Sequence, residues 1–177
     1  MAMTLITTNT SSSSSASSFT SSIDSTYKLY IFKIINIHPG TDNTHLLWQS
    51  STDGGSNWGV ATTTNHFEAY HSEDDSSATL TYAANHDAVD ATSDLRVMTH
   101  MDDANDASGS GEFHLFNPSN TTYVKHFYST VDAMQGGDQD NLFSSGYVNT
   151  TSAITAIKFY MSSGNIDAGT IKMYGVG

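Results

Sequence analysis

Beyond residue 26 the apolar and polar positions fall into short runs that read as β-strands, several with the two-residue period of a strand with one covered face. Residues 27–37, YKLYIFKIINI, are rich in β-branched and aromatic side chains. Their apolar members fall on both faces, Leu29 and Ile31 against Phe32 and Ile34, which predicts a strand covered on both sides. HPGTDN (38–43) ends it as a turn cluster. THLLWQSS (44–51) and WGVATTT (58–64), joined through a DGG turn, predict a β-hairpin. EAYHS (68–72) and ATLTY (78–82) flank the acidic turn EDDSS.

Strands are also predicted at LRVMTHM, EFHLF (112–116), TYVKHFYSTV (122–131) and LFSSGYVNT (142–150). In ITAIKFYM (154–161), Ile157, Phe159 and Met161 share one face, with Lys158 and Tyr160 on the other. TIKMYGV (170–176) closes the chain with Ile171 and Met173 inward. The stretch 83–110 reads as long loops around LRVMTHM. About ten short strands, turn signals between them, no amphipathic helix and no internal repeat predict an all-β fold, a single β-sandwich of jelly-roll type over 27–177.

Residues 7–26 are a Ser/Thr tract broken by Phe19 and Ile23. Such a tract cannot build a core of its own. Residues 1–26 are therefore expected to form a disordered tail or an N-terminal arm ordered against a neighbour, and the arm is the expectation carried forward.

Composition narrows the function classes. The chain of 177 residues is long enough for one domain with a core. With 18 acidic and 6 basic residues, its formal charge is −12, a sign that repels nucleic acid and anionic membranes. Arg96 is the single arginine, which argues further against phosphate clamps and groove readout. No cysteine is present, so there is no disulfide framework and no thiolate metal site. No run reaches the length of a membrane span, and MAMTLITTNT lacks the basic and apolar regions of a secretory signal.

STDGGSNW (51–58) fits the S-x-D-x-G-x-x-W pattern of Asp-box hairpins in glycan-handling β-propellers. Its physics needs no catalysis. Asp53 can accept hydrogen bonds from amides across the turn, Gly54 and Gly55 tolerate positive φ, and Trp58 can pack back beneath. One copy and one arginine oppose a sialidase-like enzyme. No nucleophile elbow or phosphate loop is present, and nothing singles out a pair of carboxylates for glycoside hydrolysis.

The eight histidines, His38, His45, His66, His71, His86, His100, His114 and His126, form no H-x-H or H-E-x-x-H motif and read as scattered. Acidic loops at Glu73, Asp74 and Asp75, at Asp102, Asp103 and Asp106, and at Asp138 and Asp140 lack EF-hand spacing and read as solvated faces, with calcium binding as the alternative. No catalytic, cofactor-binding or metal residue is therefore assigned. Tyr30, Tyr128, Tyr160 and Tyr174 lie on predicted strands and are candidates to face outward, as subunit contacts or as platforms for sugar rings.

Taken whole, the strings IDSTYKLYIFKIINIHPGTDN, STDGGSNW, AYHSEDDS, FHLFNPSNTTYVKHFYST and GYVNTTSAITAIKFYMSSGNIDAGTIKMYG resemble a group of virion proteins of tailed marine bacteriophages, of the cyanophage and pelagiphage kind. The similarity covers nearly the full chain, and the C-terminal string is its most specific part. The resemblance implies a non-enzymatic virion component, a head decoration or a tail or fibre appendage, with no catalytic residues. The expected partners are further copies of the chain, a trimer first, and other virion proteins, with docking through the N-terminal arm. The alternative expectation is a receptor- or carbohydrate-binding module that meets a host-surface glycan.

Overall fold

The computed structural model describes residues 2–177. Thirteen strands follow one another: β1 (Met3–Ser14), β2 (Ser17–Phe19), β3 (Leu29–Pro39), β4 (Thr44–Ser51), β5 (Thr62–Ser72), β6 (Ala78–Tyr82), β7 (Ala88–Ala91), β8 (Leu95–Met101), β9 (Gly109–Phe116), β10 (Lys125–Gln135), β11 (Asp138–Val148), β12 (Ala156–Met161) and β13 (Ile166–Val176). One 3-10 turn, Ala84–His86, precedes β7. A nine-stranded sheet runs β1-β13-β3-β9-β10-β11-β5-β6, with β7 also on β5. A four-stranded sheet runs β2-β12-β4-β8. All pairings are antiparallel, and the two sheets face each other as a β-sandwich.

The core between them is aromatic. Trp48 of β4 lies with its ring 4.8 Å from Phe113 and 4.7 Å from Phe127, and Phe32 sits 5.5 Å from Phe159 of the small sheet. All five are at most 2% exposed. The alternation read in β9, β12 and β13 holds: Phe113, Leu115, Ile157, Phe159, Ile171 and Met173 all point into this layer. In β3 the inward set is Tyr30, Phe32 and Ile34, then Ile37. The step from 34 to 37 is a bulge. Asn36 adopts φ 50, and Gly169 of the facing β13 adopts φ 119. A Cβ at Gly169 would sit 2.5 Å from the Asn36 carbonyl, so the paired distortions require glycine there.

Two expectations change. The segment 44–64 is not a hairpin. Both edges of β4 are taken, by β12 and β8, so the returning chain has no edge to pair with. It crosses instead to the large sheet, where β5 pairs with β11. The Ser/Thr tract does lie extended, but along its own domain. β1 pairs with β13 from Met3↔Val176 to Ser14↔Ile166, and β2 pairs with β12. Phe19 and Ile23, the apolar interruptions of the tract, are 2% and 3% exposed in the core. Serine and threonine suit an edge strand with one solvated face, and the chain's own last strand supplies the partner.

Candidate functional site

The Asp-box turn is structural. Asp53 Oδ1 accepts from the Ser51 hydroxyl (2.7 Å) and the Asn57 amide (2.9 Å), and Asp53 Oδ2 accepts from the Asn57 side chain (2.6 Å). These bonds, the Asn57 side chain first, hold the carboxyl down at about 2. Gly54 and Gly55 take φ 72 and 91, and Trp58 packs so closely on Gly55 that a Cβ there would lie 2.9 Å from the indole. Beyond the turn, Lys158 Nζ sits 4.9 Å from the Trp58 ring and 5.0 Å from the Tyr160 ring on the outer face of the small sheet.

A row of apolar and aromatic side chains crosses the outer face of the large sheet. Strand register lines up Tyr82 with Phe67 and Phe67 with Phe143, then Tyr128 with His114, His114 with Ile31, Ile31 with Tyr174 and Tyr174 with Leu5. The rings stack in sequence: Phe67–Phe143 at 4.8 Å, Phe143–Tyr128 at 6.1 Å, and Tyr128–His114 at 4.5 Å. Exposure is greatest at the two ends, Tyr82 and Leu5, and Leu80 on the same face of β6 extends the apolar surface beside Tyr82. The outward positions of β13 (170–176), β3 (29–35), β9 (110–116), β10 (126–134), β11 (139–147) and β5 (63–71) carry two lysines, Lys33 and Lys172, and two carboxylates, Glu112 and Asp132. This face is electrically balanced in a chain of formal charge −12. Tyr128 and Tyr174 lie on it, half-buried, as the sequence suggested. Tyr30 does not. It is fully buried, and its hydroxyl accepts from the Asp24 amide (3.0 Å) and donates to the Asp24 carbonyl (3.2 Å).

The histidines are not all scattered. His45, His66, His86 and His100, from four separate stretches of chain, gather at one end of the sandwich. Ring centroids are 4.8 Å apart for His45–His100, 5.9 Å for His86–His100 and 6.2 Å for His66–His86. The other four are spread apart. Of these, His38 bonds the Ala107 carbonyl, His71 sits by Asp75, and His114 bonds Glu112. Spacing along the sequence could not reveal the cluster, because strand pairing and the 3-10 turn bring it together.

Beside the cluster opens a cavity of about 400 Å³, lined in part by Glu68, Tyr70, His86, His100, Asp138 and Asp140. His86 is 4% exposed, and neither of its ring nitrogens has a hydrogen-bond partner. Asp140 is also 4% exposed. Its Oδ2 accepts from the Thr99 hydroxyl (3.2 Å), while its Oδ1 has no partner. Burial, helped by the negative charge of Glu68, pushes the Asp140 carboxyl up to about 6. Burial likewise raises Glu68 and lowers His66. Burial first, then the Arg96 charge, brings His45 and His86 down to about 4. His100 holds φ 51, a backbone conformation uncommon outside glycine, where β8 slips register against β4. Of the acidic loops, Asp102 and Asp103 meet Asp42, with carboxylate oxygens within 4.8 Å of one another. Asp106 stands apart from that trio, near Glu73 and Asp138 at a separate shallow cleft.

No protein-family model matches the chain, and no curated protein matches it. Among solved structures, Bacteroides ovatus Xyloglucan PUL GH43B is similar at 11% identity and a TM-score of 0.29, over 85% of this chain and 27% of that one. This chain thus spans about a quarter of that protein's length, and a likeness at that score carries no argument about fold or activity.

Proposed function

We propose that this chain is a non-enzymatic structural protein of a tailed-phage virion, a head decoration or a tail appendage, that self-associates through the outer face of its large sheet. The observation that supports this best is the row from Tyr82 to Leu5. Its exposed apolar ends, Tyr82 with Phe67 at one and Leu5 at the other, are costly to leave in water and suit burial against another subunit. Its charge balance matters because two copies of a chain at −12 repel everywhere else. The resemblance to marine phage virion proteins points the same way. Docking through the N-terminal segment then takes the form of strand addition. Among the described residues no strand pairs with the outer edge of β1, so a neighbouring chain can extend the sheet there.

Sedimentation of the purified protein tests the reading. The wild type should run as a closed oligomer, a trimer first. Phe67→Ser with Phe143→Ser should run as a monomer with an unchanged circular dichroism spectrum. A wild type that stays monomeric at high micromolar concentration overturns self-association. An antibody against the chain should label intact phage particles, and labelling confined to soluble lysate protein overturns the virion assignment.

A second reading, a module for a host-surface glycan, rests on Trp58 and Tyr160, which flank Lys158 on the outer face of the small sheet. Selective glycan-array binding that is lost in Tyr160→Ala would promote it over pure scaffolding.

A further inference from the structure

The cavity at the histidine end is acidic and holds more unsatisfied polarity than packing requires. A buried polar group without a partner costs free energy, and such groups are rare in native interiors. Here two stand in one cavity: the His86 ring, with both nitrogens free, and Oδ1 of Asp140. Glu68, Asp138 and Asp140 line it, and no lysine or arginine does. A buried carboxylate with no cation beside it is costly to ionise, which is why the Asp140 carboxyl is pushed up. Strand register shows how the acceptors are spread. Asp138 lies opposite Ser72, Asp140 opposite Tyr70 and Glu68 opposite Leu142, so the three carboxylates step along the β5–β11 pair. Asp138 and Asp140 are two residues apart on one strand, roughly 7 Å. Glu68 is the diagonal neighbour of Asp140, at roughly 7–8 Å between Cα atoms. Such acceptors do not converge on one point. Among the described residues, acidic or histidine ligand atoms of three residues gather within 4.8 Å only at Asp42, Asp102 and Asp103, a trio with no buried, unpartnered atom.

We propose that this cavity binds a small organic diamine, a linear molecule with an ammonium group at each end. Its charge answers three carboxylates that face no cation, and its length answers their spacing. Glu68 and the His86 ring receive one ammonium group. His86 Nδ1 lies 3.6 Å from Glu68 Oε2, too long for a hydrogen bond between them, so both keep lone pairs for N–H donors. Burial keeps His86 neutral at pH 7, so it accepts rather than repels. Oδ1 of Asp140 receives the other ammonium group, because Thr99 holds Oδ2 and leaves Oδ1 free. Asp138 adds negative charge beside it. Tyr70, next after Glu68 on the same face of β5 and opposite Asp140, has its hydroxyl paired with Ser77 at 2.9 Å. Its ring offers a wall for the aliphatic chain and a π face for a cation. At about 400 Å³ the cavity falls in the range of small-molecule sites, roughly 300–1,000 Å³. A neutral sugar would meet the same acceptors with hydroxyl donors but would leave the carboxylates without a counter-charge.

The site is independent of the assembly reading and is tested on the full chain by isothermal titration calorimetry near neutral pH and at low salt. 1,5-Diaminopentane should bind with a Kd below about 1 mM. n-Pentylamine, with the same carbon chain and one charge, should bind at least about tenfold more weakly. Asp140→Asn and Glu68→Gln should each weaken diamine binding at least about tenfold with the circular dichroism spectrum unchanged. Asp167→Asn, which removes one exposed carboxylate on β13 outside the cavity, should keep the wild-type affinity. Absence of diamine binding up to about 10 mM overturns the site. So does affinity that survives Asp140→Asn and Glu68→Gln, equal affinity for n-pentylamine, or tighter binding of glucose than of the diamine.

Discussion

Strands β3 and β5 are both eleven residues long and both belong to the large sheet, yet they turn opposite chemistries toward the small one. From β3 the inward residues are Tyr30, Phe32, Ile34 and Ile37. From β5 they are Thr62, Thr64, His66, Glu68, Tyr70 and Ser72, while apolar Phe67 faces outward and is 43% exposed. The usual alternation is inverted in β5. Cores built like the one under β3 hold a domain together without further help. A buried polar face like that of β5 costs stability unless each group is partnered, and it is retained where a ligand or a neighbour supplies the partners. The contrast separates the end of the sandwich that specifies the fold from the end available for function.

The largest effect should come from the β3 side. Phe32→Ala removes a fully buried ring that touches three other aromatics, and it should cost about 3–5 kcal/mol in urea unfolding. A loss below 1 kcal/mol would erase the distinction between the two ends.

Next comes Asp140→Asn. The carboxyl titrates near 6 in the fold against an ordinary 3.8, so the native state binds the extra proton between those values. Stability from that proton is full below 3.8 and lost as the pH rises through 6. The variant should therefore be more stable than the wild type by up to about 3 kcal/mol at pH 8, with the gain shrinking on acidification and gone near pH 4. His45 and His86 act oppositely. Held near 4 against an ordinary 6.5, they remove stability as the pH falls from 6.5 toward 4. The variant should thus lose stability more steeply with acid than the wild type. An equal slope in both proteins would contradict a buried, charged Asp140.

A smaller change is expected at Thr64, whose hydroxyl accepts from the Ala88 amide at 2.9 Å inside the β5 face. Thr64→Ala leaves that amide unpaired and should cost about 1–2 kcal/mol. Least of all, Phe67→Thr on the outward side of β5 should change monomer stability by no more than about 0.5 kcal/mol, because threonine suits an exposed strand position. Its effect should appear in sedimentation instead.

Much of this was written in the chain itself. Alternating apolar residues marked β9, β12 and β13 with the correct face inward, and turn residues marked the hairpin from β5 to β6, because side-chain period and turn chemistry are local properties. The Asp box was legible for the same reason: its bonds run among Ser51, Asp53 and Asn57. What tertiary structure alone decided was partnership. β4 pairs with β12 rather than with the strand that follows it, the serine tract finds β13 more than 150 residues away, and Tyr30 turns inward to Asp24. The lining of the cavity at the histidine end was beyond reach for the same cause. Glu68, His86 and Asp140 line one cavity only because β5, β11 and the 3-10 turn come to the same end of the sandwich, and in β5 the polar residue lies on the side that a hydrophobic pattern assigns to solvent. Local rules follow from neighbouring side chains, whereas non-local pairing follows from which edges and faces remain unfilled once the whole chain has packed.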